Sequence, residues 1–149
     1  MMHFVTGGAY NGKAAWVRND YGDQDGETLW LSRYNESFSV EQFEDVASFH
    51  ELTVIQGLEL YVKAVMSPKS DVASLRKRWR TLFSKWKSWE EQLGNRRLVV
   101  IGNDITKGVV PMNKGDRLWR DFVGWCYQDL VSQCERVDLV WYGISTRLK

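Results

Sequence analysis

The segment Gly7-Gly8-Ala9-Tyr10-Asn11-Gly12-Lys13-Ala14 fits the pattern G-x-x-x-x-G-K, with Ala at the position that usually carries Ser or Thr. Glycines at this spacing let backbone N–H groups turn inward around a phosphate, and a following helix adds the positive end of its dipole. Lys13 would set its ammonium against the terminal phosphates of a nucleotide, GTP or ATP. An ordinary glycine turn between a strand and a helix is the plain alternative, and the pattern together with its position favours phosphate. Ala14 brings no hydroxyl to a Mg²⁺ ion, where a Ser or Thr would. The next strand end, Val54-Ile55-Gln56-Gly57, puts an amide where a carboxylate ordinarily completes the metal's outer shell. Mg²⁺ thus loses two usual supports together, and binding survives that loss better than catalysis does.

The elements that must position this loop can be read from the pattern. Met2–Thr6 is a β-prone run before the glycines, and Lys13-Ala14-Ala15-Trp16-Val17 can open a helix. Residues 20–26 form a polar turn cluster, and Thr28–Ser32 reads as a second strand. Ser39–Phe49 is a short helix with Ser39 as N-cap and Gln42 as its capping-box partner. Leu52–Val62 reads as a third strand that could run straight on into helix. Leu75, Trp79, Leu82, Phe83, Trp86, Trp89 and Leu93 fall at three- and four-residue steps, which predicts a helix over 71–93. A buried strand over Leu98–Ile101, a polar loop to Asn113, a helix over Lys114–Cys134 and a last strand over Val137–Tyr142 complete the chain, with Arg147-Leu148-Lys149 as a tail. Strands and helices alternate, so the expected class is α/β with a mostly parallel sheet.

Composition agrees with one folded domain over residues 1–149. The 44% hydrophobic and 13% aromatic content suffices for a core. A net charge of +1 gives no support to a nucleic-acid footprint or a membrane surface. The apolar runs are too short to span a bilayer, and the first residues lack the charged region and long apolar stretch of a signal peptide. The expectation is a soluble, cytoplasmic protein. Cys126 and Cys134, eight apart on one helix, would sit about 12 Å apart, too far for a disulfide. His3 and His50 are well separated, so no zinc-ligand spacing exists.

Several stretches resemble the bifunctional adenosylcobinamide kinase/adenosylcobinamide-phosphate guanylyltransferase (CobU-like) family. The opening residues His3–Lys13 look like "VTGGARSGK" of that family. Val99–Pro111 is similar to "VLVTNEVGxGIVP", Leu118–Leu130 to "RxFRDxxGxxNQxLA", and Val137–Lys149 to "DEVWLVxxGIxxxIK". The resemblance implies a P-loop NTPase-like three-layer sandwich and a homotrimer. It also implies a corrinoid substrate, phosphorylation by ATP or GTP, and transfer of GMP through a guanylylated histidine. By that likeness Gly7, Gly8, Ala9, Tyr10, Asn11, Gly12, Lys13 and Ala14 hold the nucleotide. Asp104 stands for a glutamate near the phosphates, to hold metal or substrate hydroxyl, and Asn103, Gly108 and Pro111 carry over. Ser32, Arg33 and Tyr34 match the nucleotide-contacting "ATA" by position only.

The departures fall where chemistry would occur. The segment that normally carries an "HxxxRPxxW" motif is shortened to about residues 37–51 and leaves His50 as the candidate guanylyl carrier, with no Arg-Pro after it. A helix- or strand-end histidine is the structural alternative. Gln56 stands where the family's "DCLT" strand end is acidic. Two readings follow: a diverged transferase that has lost one or both activities, or a nucleotide-binding or assembly protein that keeps the fold without the reaction. A P-loop kinase for another small metabolite is a third. The tryptophans of 71–93 read as core or subunit interface, interface first. Arg120 and Asp121 could reach substrate phosphate, although such a pair at a helix start reads first as a structural ion pair or cap contact, and Lys107 is either a phosphate contact or a solvated lysine.

Overall fold

A computed structural model describes residues 1–22, 27–35 and 39–149. The polar turn expected at 20–26 and the start of the shortened segment at 37 therefore lie partly outside the described residues.

Six strands form one sheet: β1 (Met2–Gly7), β2 (Thr28–Ser32), β3 (Leu52–Gln56), β4 (Arg97–Asn103), β5 (Arg136–Trp141) and β6 (Ile144–Arg147). Their order is β2-β3-β4-β1-β5-β6, and all pairings are parallel except the last. β1 and β4 lie at the centre in register, Met2 opposite Leu98 and Gly7 opposite Asn103. Both read as nearly unbroken apolar runs because helices cover them on two faces.

The helices are α1 (Lys13–Tyr21), α2 (Val40–Glu44), α3 (Leu58–Val65), α4 (Val72–Glu91) and α5 (Lys114–Gln133). On one face Met2, Phe4, Ile55, Leu98 and Val100 meet residues of α2 to α5, including Phe43, Tyr61, Phe83 and Phe122. On the other face Val5, Val54, Val99, Ile101 and Val140 meet Val17 of α1. Handedness accounts for this split. The β1–β2 crossover runs toward one edge of the sheet, whereas those from β2 to β3, β3 to β4 and β4 to β5 run the opposite way. Right-handed crossovers then put α1 on one face and the other helices on the other. The reversal occurs at β1, so a crevice opens at the carboxyl ends of β1 and β4.

The expected third strand is shorter than its apolar run. β3 stops at Gln56 because Gly57 takes a left-handed conformation, φ +90°, and donates its N–H to the carbonyl of Ile101 at 3.0 Å. The remainder becomes α3, whose Leu58, Tyr61, Val62 and Val65 follow the i, i+3, i+4, i+7 spacing of a helix with one face on the core. The helix expected over Ser39–Phe49 splits into α2 and a short 3₁₀ turn, Val46–Ser48; Gln42 Oε1 accepts the Ser39 N–H at 2.9 Å, as the capping box requires. Beyond the last expected strand, Ile144–Arg147 form β6, paired antiparallel with β5 through a turn at Tyr142-Gly143, so of the supposed tail Arg147 belongs to the sheet.

The tryptophans of α4 belong to the chain's own core, not to an interface: Trp79, Trp86 and Trp89 are 2%, 0% and 5% exposed. Asp129 of α5 joins the two long helices, accepting from Arg76 at 2.8 Å and Arg80 at 3.0 Å. Cys126 and Cys134 are free, buried thiols, as the spacing predicts. Burial pushes the Cys134 thiol up to about 12. Among the described residues no helix is long and apolar enough to cross a membrane.

Candidate functional site

The glycine loop leaves β1 at Gly7 and enters α1 at Gly12. Gly7 has φ +148°, and a Cβ there would lie 2.2 Å from the backbone oxygen of Val140, so β5 packs against the loop where only glycine fits. No side chain caps the start of α1, which leaves its first N–H groups available to an anion. Asn11 ties the loop to the β5–β6 turn: its Oδ1 accepts the Tyr142 N–H at 3.0 Å, and its carbonyl accepts the Gly143 N–H at 2.8 Å.

Lys13 is 7% exposed, and its Nζ donates to the carbonyl of Gly8 at 2.7 Å. Burial lowers its pKa, and the negative charge of Glu59 opposes that shift. An ammonium in this setting is short of partners. It has three donors, and the described residues supply one acceptor, so an incoming phosphate oxygen would find it poorly satisfied.

Beside the loop lies a cavity of about 360 Å³, lined by Tyr10, Lys13, Ala14, Tyr34, Gln56 and Asn103 among others. Its volume is that of a small-ligand pocket. The wall opposite the loop is a hydrogen-bonded cluster. Glu59, 2% exposed in the first turn of α3, accepts the Tyr34 hydroxyl proton on Oε1 and the Asn103 N–H on Oε2, the latter at 3.1 Å. Asn103 Nδ2 donates to the Tyr34 oxygen at 2.8 Å, and Tyr127 donates to the Asn103 carbonyl at 2.6 Å. Burial first, and the hydrogen bond to Glu59 second, hold the Tyr34 pKa well above its ordinary value.

The structure gathers Ala9, Tyr10, Gly12, Lys13, Ala14, Tyr34 and Gln56 around the cavity. Gly7, Gly8 and Asn11 shape the loop without lining it. Ser32 Oγ accepts the Tyr34 N–H at 3.3 Å, and Arg33 faces a neighbouring groove with Leu60 and Lys63. Asp104 does not line the cavity: its Oδ1 accepts from the Thr106 N–H at 3.0 Å and hydroxyl at 2.6 Å, and its Oδ2 faces Lys107 at 3.6 Å. His50 is not brought to the loop either. It precedes β3 on the opposite edge of the sheet, one strand length of about 15 Å from Gln56. Its backbone N–H and carbonyl bond the Thr53 hydroxyl. The guanylyl-carrier expectation for His50 therefore has no geometry at this cavity. Arg120 and Asp121 form the expected ion pair, at 3.1 Å.

The donors of this site do not fit a protein-held Mg²⁺. Ala14 has no side-chain oxygen to offer, and Gln56 Oε1 is engaged by the Trp30 indole N–H at 2.8 Å. Each Glu59 oxygen already accepts a hydrogen bond, Asp104 faces Thr106 and Lys107, and among the described residues no cluster of three acidic, His or Cys ligands exists.

Glu59 escaped the sequence reading. Its signal was present: a glycine at a strand end followed two residues later by an acid in a helix's first turn. Reading residues 52–62 as strand hid it.

Residues 28–148 match the family described as cobinamide kinase / cobinamide phosphate guanyltransferase. The chain belongs to that family. The match begins after the glycine loop, so the loop's role rests on its own geometry. The chain is also similar to the bifunctional adenosylcobalamin biosynthesis protein CobP of Pseudomonas aeruginosa, 34% identical over 53 residues. That stretch is 36% of this chain and spans about a third, 31%, of the relative. The mostly parallel sheet with its crevice at β1 and β4 is the fold that the cobinamide kinase family resemblance implied.

Proposed function

We propose that this protein binds GTP or ATP at the Gly7–Lys13 loop and transfers its terminal phosphoryl group to the hydroxyl of adenosylcobinamide, the kinase half of the family's chemistry. One observation carries this reading: a buried Lys13 ammonium, with one acceptor among the described residues for its three donors, set between an uncapped helix start and a cavity of about 360 Å³. Lys13 would neutralise charge on the transferred phosphoryl group, and the first amides of α1 would orient the phosphates. The guanylyl-transfer half has less support, because neither of the chain's histidines lines the cavity.

Nucleotide binding without transfer is the competing reading, favoured by Ala14 and by the committed oxygens of Gln56, Glu59 and Asp104. Thermal stability measured with GTP and with ATP, each with and without Mg²⁺, beside Lys13→Ala, tests the site. A ligand at 100 times its Kd adds about 2.7 kcal/mol to stability. A Lys13-dependent shift with phosphoryl transfer to adenosylcobinamide supports the kinase reading. A shift without transfer leaves a binding protein, and no shift removes the nucleotide.

A further inference from the structure

The Tyr34–Asn103 side of the cavity, backed by the buried Glu59, has a geometry that phosphate binding alone does not require. Tyr34 lines the same cavity as Lys13, and its hydroxyl is held on two sides: it donates to the buried carboxylate of Glu59 and accepts from Asn103 Nδ2 at 2.8 Å. A phenolic oxygen has two lone pairs, and among the described residues Asn103 Nδ2 is the donor to one of them. Tyr34 is half exposed, whereas Glu59 is out of reach of solvent. Tyr34 lines the cavity and Glu59 does not, so a group entering it meets Tyr34 and not Glu59 itself.

Resting on the kinase reading above, we propose that Tyr34 and Glu59 form a proton relay for the phosphoryl acceptor. Tyr34 is the catalytic residue that touches the acceptor's hydroxyl, and Glu59 is the positioning residue and final proton acceptor behind it. As the acceptor oxygen bonds to the γ-phosphorus, the bridging P–O bond of the nucleoside triphosphate breaks and its electron pair leaves with the diphosphate. The acceptor's proton passes to the Tyr34 oxygen while the Tyr34 proton passes to Glu59. Tyr34 is thus neutral before and after the step, in keeping with a phenol whose ionisation burial disfavours. Glu59 ends protonated; once the product has left, it gives its proton back to the Tyr34 oxygen while the Tyr34 proton passes to water in the emptied cavity.

This assignment explains why the Glu59 oxygens are committed to Tyr34 and to the Asn103 N–H rather than open to a cation. Asn103 is the third member: it fixes the hydroxyl's direction through Nδ2 and the carboxylate through its backbone N–H.

The test is phosphoryl transfer from ATP or GTP to adenosylcobinamide by the wild-type chain, Tyr34→Phe, Glu59→Gln and the double variant, with nucleotide affinity and Tm measured on each. General acid–base catalysis contributes about 10²–10⁴-fold, so each single variant should lose about 100-fold or more in kcat. KM, nucleotide Kd and Tm should change little, and the double variant should be no worse than the poorer single, as for groups that act as a unit. Unchanged kcat in either single variant overturns the relay. So does a loss that appears equally in nucleotide affinity or Tm, which would make the cluster structural. A wild-type chain that binds nucleotide but transfers nothing overturns the kinase reading and the relay with it, an outcome distinct from active variants.

Discussion

Lys13 Nζ donates to the carbonyl of Gly8, 2.7 Å away in its own loop, so the ammonium proposed to meet phosphate is folded back on the glycine turn. That bond replaces only part of the hydration lost on burial.

Lys13→Ala should therefore leave the unliganded protein no less stable, because it removes a buried charge with unmet donors along with a single hydrogen bond. Hydrogen bonds to charged groups are worth about 1.5–3 kcal/mol, so nucleotide affinity should fall by about 10- to 150-fold. Chemical denaturation and calorimetric titration check the two halves. A large stability loss would show that Lys13 is structural.

Nucleotide binding should take up protons at alkaline pH. Burial lowers the Lys13 pKa in the free protein, and a bound phosphate raises it, so between those two values the complex holds a proton the free protein lacks. Affinity for ATP accordingly falls as pH rises through that window. Titrations with ATP in buffers of different ionisation enthalpy should show the uptake, and Lys13→Ala should abolish it. Equal heats across buffers would refute the assignment.

The loop depends on the β5–β6 turn for its shape. Asn11→Ala deletes the acceptor of the Tyr142 N–H, held at 3.0 Å, and should cost about 1 kcal/mol of stability. Nucleotide affinity should weaken severalfold although Asn11 does not line the cavity. Unaltered affinity in a destabilised variant would mean that the loop keeps its shape without the tether.

His3 offers a pH test away from the site. It is fully buried on β1, with Nε2 2.7 Å from Asp138 and Nδ1 2.7 Å from the Tyr21 hydroxyl. Burial, the largest effect, lowers its pKa from 6.5 despite the pull of Asp138. Between that lowered value and 6.5 the unfolded chain binds more protons than the native one, so stability rises with pH across the window and levels off above 6.5. His3→Val should be less stable overall yet show a shallower fall in Tm on acidification. A parallel fall in both proteins would remove His3 from the pH response.

The strands of the central sheet and the two long helices were legible in the residues, because each signal is local. Met2–Val5 and Leu98–Ile101 are apolar runs bounded by polar or turn residues, and α4 and α5 repeat their apolar residues at helical spacing. The glycine turn between β1 and α1 was legible for the same reason: glycines at fixed spacing act through backbone they themselves shape. Only the tertiary structure could decide which other residues face the loop. Parallel strands that are distant in sequence deliver their carboxyl ends to one edge, and this placed Gln56, Asn103 and Tyr34 opposite Lys13 while leaving His50 at the other edge. It also decided which oxygens remain free, since Trp30 engages Gln56 and Thr106 engages Asp104. Glu59 shows the division most clearly. Its position follows from one glycine that ends β3, but its partnership with Tyr34 and Asn103 arises only when β2, α3 and β4 pack together, because hydrogen bonds across elements depend on distances that no spacing along the chain records.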